Sequence, residues 1–251
     1  MNWLAKLFGR GEKRAAEAPG TASAPHSPPD AAPAPTAAKP KDALAAFFDA
    51  IRAGRFEEVG ELVRDDPRLL AKTEDGGTPL HHAARHGHRD QVELFLDLDA
   101  EIDVPDTKTK RPPIDWANET GQSAIVRFLF ARGAAADLHH AAGYGLLERV
   151  REALDEGEDP NGRVDHRTPL HFAAYWGRDD VVALLLERGA DPAAKDRGGR
   201  SAAEIVAARQ ADPQAKAGIL VGSRQAELTA GWMRAAEMLR LASAGGENEE
   251  G

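Results

Sequence analysis

Cysteine is absent from all 251 residues. That excludes disulfides, thiolate nucleophiles and cysteine-held zinc or iron–sulfur centres, and it fits a reducing cytoplasm. No stretch approaches the roughly 18 apolar residues that a membrane span needs. The N-terminus also lacks a long apolar region followed by a small-residue cleavage site, so no signal peptide is expected. Aromatics make up only 6% of the chain, and its wealth of Ala and Leu leans helical. There is no HExxH, no GxSxG and no Gly-rich phosphate loop after a strand, so no catalytic signature is present. The expectation is a protein that is not an enzyme and carries no cofactor. Positive charge is in short supply: 32 Lys and Arg against 41 Asp and Glu give a net charge of −9. Residues 1–41 carry +3 of this, which leaves −12 on the remainder. An acidic body repels phosphate, so nucleic acid is not an expected partner.

What is present begins with a tail. Residues 15–41 read "AAEAPGTASAPHSPPDAAPAPTAAKPK", without one large apolar residue. Such a stretch cannot bury enough surface to offset its ordering, so a disordered, partly extended linker is expected there. It separates a short segment, 1–14, from a body, 42–244, that ends in an acidic disordered tail, 245–251. The opening "MNWLAKLFGR" places Trp3, Leu4, Leu7 and Phe8 within an arc of about 140° on a helix. Two turns are too few to be stable alone in water. An apolar arc followed by Arg10, Lys13 and Arg14 suits an anionic membrane surface or a groove on a partner. A frayed chain start would read the same way. The expected location is cytoplasmic, with peripheral membrane contact as the alternative.

The body is punctuated at regular intervals. Gly54, Gly87, Gly121, Gly145 and Gly177 each follow a short apolar stretch, at gaps of 33, 34, 24 and 32 residues, and Gln210 continues the series. Twelve residues after four of these come Asp99, Gly133, Gly157 and Gly189. Both series read as helix C-caps, where the chain turns left-handed. The unit is a short helix, a tight turn, a second helix and a turn. A period of about 33 residues is the mark of a solenoid. Thr78 and Thr168 are placed as N-caps, with Pro79 and Pro169 at the first helical position, where a missing N–H costs nothing. After Gln210 comes "ADPQAKAGILVGSRQ", an insertion. The apolar positions 228, 232, 235, 239 and 242 that follow it form a helical stripe, expected to close the array.

Two of these stretches, "DGGTPLHHAARHGHRDQVELFL" and "RTPLHFAAYWGRDDVVALLLERGADPAAKD", resemble ankyrin repeats. The resemblance extends unevenly over residues 42–242, with "FFDAIRAGRFEEVGELV" as a degenerate first repeat. It implies an all-α, ankyrin-like helical solenoid of about five to six repeats with short hairpin loops, the outer units acting as caps. The third-to-fourth gap of 24 residues is about nine short of the period, so one hairpin finger is expected to be missing between Gly133 and Leu138.

The densest cluster of titratable groups is His81, His82, His86 and His88. His82 and His86 have the four-residue spacing of zinc ligands on a helix, and a metal site or enzyme there is the rival class. However, His81, His139 and His171 occupy one slot in three units, where the resemblance implies hydrogen bonding to neighbouring backbone. The metal expectation is none. The resemblance further implies protein–protein interaction through the concave face. Transferred position by position, the partner-binding set is Arg85, His86, Lys108, Arg111, Tyr144, Arg167, Tyr175, Trp176, Arg197 and Arg200. Tyr144, Tyr175 and Trp176 fall in adjacent units and predict one aromatic patch with a basic rim, the usual composition of interface hot spots. A protein segment that is acidic and carries an apolar anchor is the expected partner of a monomeric chain.

Overall fold

A computed structural model describes residues 40–211 and 223–246. The expected amphipathic segment with Trp3, Leu4, Leu7 and Phe8 lies outside the described residues. So do most of the linker, most of the insertion and the acidic end from 247 onward. The described chain forms twelve α-helices in six antiparallel pairs: α1 (Pro40–Arg52) with α2 (Phe56–Asp65), α3 (Pro79–His86) with α4 (Arg89–Asp97), and α5 (Pro113–Glu119) with α6 (Ser123–Ala131). The series continues with α7 (Leu138–Tyr144) and α8 (Leu147–Asp155), α9 (Pro169–Tyr175) and α10 (Asp179–Glu187), and α11 (Ala202–Ala211) and α12 (Ser223–Gly246). A short 3₁₀ turn, Pro67–Ala71, follows α2. The architecture is the all-α solenoid that the spacing predicts.

Both punctuation series sit where a left-handed residue is needed, except at Gln210, which is helical within α11 instead of capping it. Their eight glycines and Asp99 all have positive φ, Asp99 at 61°. Asp tolerates this conformation better than most side chains do. A Cβ on Gly87 would lie 2.4 Å from Gln122 Oε1, so a side chain there would also displace the end of Gln122. Ten of the twelve described helices have only seven to ten residues, too few to be stable alone. They are held by one continuous core that runs from Phe47, Phe48 and Ile51 through Leu80, Ile114, Leu138, Leu170 and Leu185 to Trp232 and Leu239. At the end of the array Trp232, Ala235 and Leu239 of the predicted stripe are buried, which closes the core with α12.

Polar contacts fix the register between units. After three of the turn glycines, Gly87, Gly121 and Gly177, the next residue reaches back to the first helix of the preceding unit. His88 Nε2 lies 3.1 Å from Arg52 O, Gln122 Nε2 3.4 Å from Arg85 O, and Arg178 Nε 3.1 Å from Gly143 O. Thr78 and Thr168 begin α3 and α9 as expected. Each backbone N–H donates to the Nδ1 of the histidine three residues on, at 3.1 Å. The other ring nitrogen of that histidine meets the following finger, His81 at Arg111 O (3.0 Å) and His171 at Arg200 O (3.1 Å).

The seam between the third and fourth units is different. The chain crosses it in four residues, 134–137, without a finger. Ala134 is buried, Ala135 N donates to the Asp103 carboxylate, and Asp137 caps α7 by accepting from His140 N at 2.8 Å. The pairs α1/α3, α3/α5, α7/α9 and α9/α11 pack closely, whereas α5 and α7 approach each other far less. The histidine slot of the third unit holds Asp115. Having no following finger to meet, Asp115 accepts a 2.7 Å hydrogen bond from the Tyr144 hydroxyl. Arg178 completes the clasp: its guanidinium passes the fourth unit and donates to Asn118 Oδ1 of the third at 2.7 Å. Burial pushes the Arg178 pKa down to about 10, with Asp180 opposing, so the group stays charged at neutral pH.

One core position is at odds with its surroundings. Gln91 is fully buried, and neither its Oε1 nor its Nε2 finds a partner among the described residues. The same slot, four residues after the turn glycine, holds buried Ile125 and Val181 in other units. An unpaired buried amide costs about 1–3 kcal/mol. Gln91→Leu should therefore raise the unfolding free energy by about 1–2 kcal/mol in urea titrations, whereas a loss would mean that the amide is satisfied. Arg178→Ala removes two hydrogen bonds from a charged donor and strands their acceptors. It should cost roughly 2–5 kcal/mol and separate the two halves of the array into distinct unfolding transitions by hydrogen exchange.

Candidate functional site

The first helices of units three to six, α5, α7, α9 and α11, line a groove with a volume of about 360 Å³ on one face of the array. Six of the ten residues expected from sequence meet there: Arg111, Tyr144, Arg167, Tyr175, Trp176 and Arg200. The fingers position the arginines at one end. The last turns of α7 and α9 position the aromatics at the other.

The aromatic end is built in layers. Tyr175 and Trp176 pack edge to face, their ring centroids 5.1 Å apart. Tyr175 is 37% exposed and Trp176 half-buried. Gly143 makes room for the indole, because a Cβ there would lie 3.1 Å from Trp176 Cδ1. Arg209 lies over the Tyr175 ring at 4.5 Å and over the Trp232 ring at 5.3 Å, while Trp232 Nε1 donates to Tyr175 O. The closing helix α12 thus supports the aromatic pair from below.

The sequence places Tyr144 in the same exposed platform; the structure buries it to 5% exposure. The cause is its bond to Asp115 across the seam, which draws the ring into the floor of the groove. Burial and the Asp115 charge hold its phenol well above the usual tyrosine range. Tyr144 therefore contributes shape and the seam bond, not an exposed anchor.

The charges in the groove are unevenly matched. Arg111 pairs with Glu119. Arg200 pairs with Asp196 at 3.1 Å, and hydrogen bonds from Arg200 and Gly198 hold that carboxyl below the usual carboxylate range. The Arg167 guanidinium has no hydrogen-bond or ion-pair partner among the described residues. Arg178 adds a desolvated positive charge behind Gly143 and Asn118, both of which line the groove. The groove is locally basic on an acidic body.

Four of the expected residues stand outside the groove. Arg85 is exposed, with its guanidinium 5.5 Å from the centre of the Trp116 ring, and His86 is exposed and stacked on His88. Lys108 is exposed at a fingertip, 3.7 Å from Asp75, and Arg197 is exposed at the last finger. Asp115, Asn118 and His140 line the groove without having been singled out from sequence. A signal for Asp115 was available, since it replaces histidine in the one unit that no finger follows. The histidines themselves are committed to backbone: His82 Nε2 meets Glu74 O and His139 Nε2 meets Gly162 O, both at 2.9 Å. Among the described residues no three His, Asp or Glu side chains converge in a metal-binding arrangement. None of the described helices is long and apolar enough to cross a membrane.

Comparison with known proteins adds a family. The profile of a family described as ankyrin repeats (three copies) matches residues 47–138 and again 137–196. The two matches meet at the seam. The chain is 31% identical over 140 residues to human transient receptor potential cation channel subfamily A member 1, covering 54% of this chain and 10% of that protein. It is 34% identical over 132 residues to the mouse B-cell lymphoma 3 protein homolog, covering 49% and 30%. It is 28% identical over 143 residues to the E3 ubiquitin-protein ligase hecd-1 of Caenorhabditis elegans, covering 57% and 5%. The chain thus spans a third or less of each of these relatives.

The geometry of the pinned histidines sets a pH dependence. In His81 and His171 the Nδ1 accepts from a backbone N–H, so protonating it breaks the cap. Burial lowers both pKa values from the ordinary 6.5, with backbone bonds to Arg111 and Arg200 opposing. Above pH 6.5 folded and unfolded states are both neutral at these sites. Below it the unfolded chain takes up protons that the folded one does not, and stability falls. The urea midpoint should therefore be flat above about pH 6.5 and drop below it. A His81→Gln/His171→Gln double variant, though less stable throughout, should show a shallower drop between pH 6.5 and 5.

Proposed function

The chain belongs to the ankyrin repeat family, and from that premise we propose that it is a non-enzymatic protein–protein interaction module that grips a partner segment in the groove of units three to six. Ankyrin repeats generally mediate protein–protein interaction, which supports the coarse reading. The observation that carries the finer one is the convergence of Arg111, Arg167 and Arg200 with Tyr175 and Trp176 on a single concavity. An edge-to-face aromatic pair offers apolar area at low entropic cost, and arginine with aromatics is the composition of hot spots. A body carrying −12 outside residues 1–41 would repel an acidic ligand everywhere except at such a basic groove. The partner segment is accordingly acidic, with an apolar anchor for Tyr175 and Trp176. Arg167 and Arg200 chiefly accelerate encounter, and the aromatics chiefly slow dissociation. The protein works as a monomer in the cytoplasm.

The test pairs identification with a quantitative readout. Crosslinking mass spectrometry on the tagged chain names a partner, and its affinity for purified variants is then measured. Trp176→Ala should weaken binding by 2 kcal/mol or more, mainly through faster dissociation, with the circular dichroism spectrum unchanged. Arg167→Gln should lower the association rate and flatten its salt dependence. Unaltered affinity in a folded Trp176→Ala variant would place the site elsewhere.

A further inference from the structure

The groove is open on its finger side at one place. Arg111 belongs to the finger that precedes α5, and Arg167 to the finger that precedes α9; both line the groove, and no finger stands between them. Among the described residues no hydrogen bond or ion pair joins 106–111 to 161–167. Elsewhere neighbouring fingers do touch: Thr107 N donates to Gly76 O at 2.9 Å, and an Arg163 guanidinium nitrogen donates to Lys195 O at 2.7 Å. The missing finger therefore leaves a notch. Packed helices lie roughly 8–10 Å apart, so fingers two units apart leave a slot of about that width, and the sparse contact of α5 with α7 widens it. One extended chain needs less than this.

The notch has a charge pattern of its own. Lys108, Lys110 and Arg111 are exposed on one side, and Arg163 and Arg167 on the other, with exposed Ala135 at its base. Five carboxylates lie close by: Asp75 beside Lys108, Glu119 on Arg111, Asp103 holding Ala135 N, and the exposed Asp137 and Asp165. Asp137 is committed to His140, and Arg163 to the His166 and Lys195 carbonyls, which leaves Lys110 and Arg167 as the cations of the notch without a hydrogen-bond or ion-pair partner among the described residues. The Arg167 guanidinium, without a partner among the described residues, stands where notch and groove meet.

We infer that the partner segment enters the groove through this notch, running in extended form in place of the missing finger and setting a carboxylate against Arg167. This rests on the reading of the groove as the protein-binding surface. The occupant is an acidic peptide segment, because Arg167, which lines the groove beside the notch, and the exposed Lys110 are left to take its carboxylates. The tests below separate this path from a segment that lies wholly along the groove.

The absence of cysteine allows single thiols to be placed at will. Ten-residue random peptides displayed against the full-length chain supply a defined probe, whose dissociation constant is read by fluorescence anisotropy. Ala135→Cys sits in the notch, and Met233→Cys sits exposed on α12 as a control away from the groove. Benzophenone maleimide at residue 135 should crosslink to the acidic part of the selected peptide, and the same reagent at 233 should not. A polyethylene glycol maleimide at 135 should weaken the peptide at least tenfold. N-ethylmaleimide there, or the polymer at 233, should change it less than twofold. A peptide that loses affinity in Trp176→Ala but neither crosslinks to 135 nor responds to the polymer would overturn the notch and leave the groove standing. A peptide indifferent to Trp176→Ala as well would overturn both.

Discussion

Two helices of seven to ten residues cannot bury their own apolar faces, so in this molecule each unit's core is completed by its neighbours. The polar groups are in part under the same constraint. Helix starts are capped within their own unit, but finger carbonyls such as Arg111 O and Arg200 O find their partner in the unit before them. The His81 and His171 pins answer this by closing a helix start with one nitrogen and a neighbouring finger with the other. Where the neighbour lacks a finger, the chemistry of the slot changes with it. Asp115 cannot donate, and no finger carbonyl is there to receive; it accepts from Tyr144 instead. The loss of about nine residues at the seam is thus matched by a donor-to-acceptor exchange in the preceding unit.

The same exchange shapes the electrostatics of the groove. Asp115 and Glu119 are carboxylates in the basic concavity, and both are engaged within the array, one by Tyr144 and the other by Arg111. Arg178 stands behind the floor and donates only to neutral acceptors. It has no ion-pair partner among the described residues, though the nearby Asp180 offsets part of its charge, and what remains is screened less in a low-dielectric setting than a surface lysine would be. A net positive groove on a body of −12 therefore follows from how the seam is clasped as well as from the exposed arginines.

Much of the fold was legible because its punctuation is local. A left-handed turn needs glycine, or at Asp99 a tolerated substitute, whatever the tertiary context, so both cap series stand out in the sequence. The missing finger was legible for the same reason, as a gap of 24 residues where others are 32 to 34. The basic and aromatic halves of the candidate site could be placed by counting from those glycines. What counting could not show was depth. Tyr144 and Trp176 occupy the same slot, just before a turn glycine, yet Tyr144 is buried at 5% exposure and Trp176 only half-buried. The difference lies in which neighbour receives each ring, and that depends on a seam two units wide. The span of Arg178 to Asn118 was hidden likewise, because it skips a unit and no nearest-neighbour reading reaches so far. Gln91 was hidden for the opposite reason, being a polar residue in a slot that the pattern assigns to the core.

The groove is also tied to the end of the array. Terminal units have one neighbour instead of two, and local opening costs least there. Yet half of the site rests on that end: Arg209 of α11 bridges Tyr175 and Trp232, and Trp232 of α12 holds the backbone beneath Tyr175. The exposed aromatic is therefore only as well positioned as the closing helix is docked. A ligand that grips Tyr175 and Trp176 must bind the docked state in preference to the open one, and so it stabilises the last unit by mass action. Arg111 and Arg167 are free of this coupling, Arg167 being anchored through the Val164 turn and the buried start of α9, whereas Arg200 stands at the start of the last unit and shares it. Charge capture at the notch end then requires nothing of the cap. Apolar anchoring at the far end requires all of it, so the two halves of the groove differ in the order in which they can be engaged.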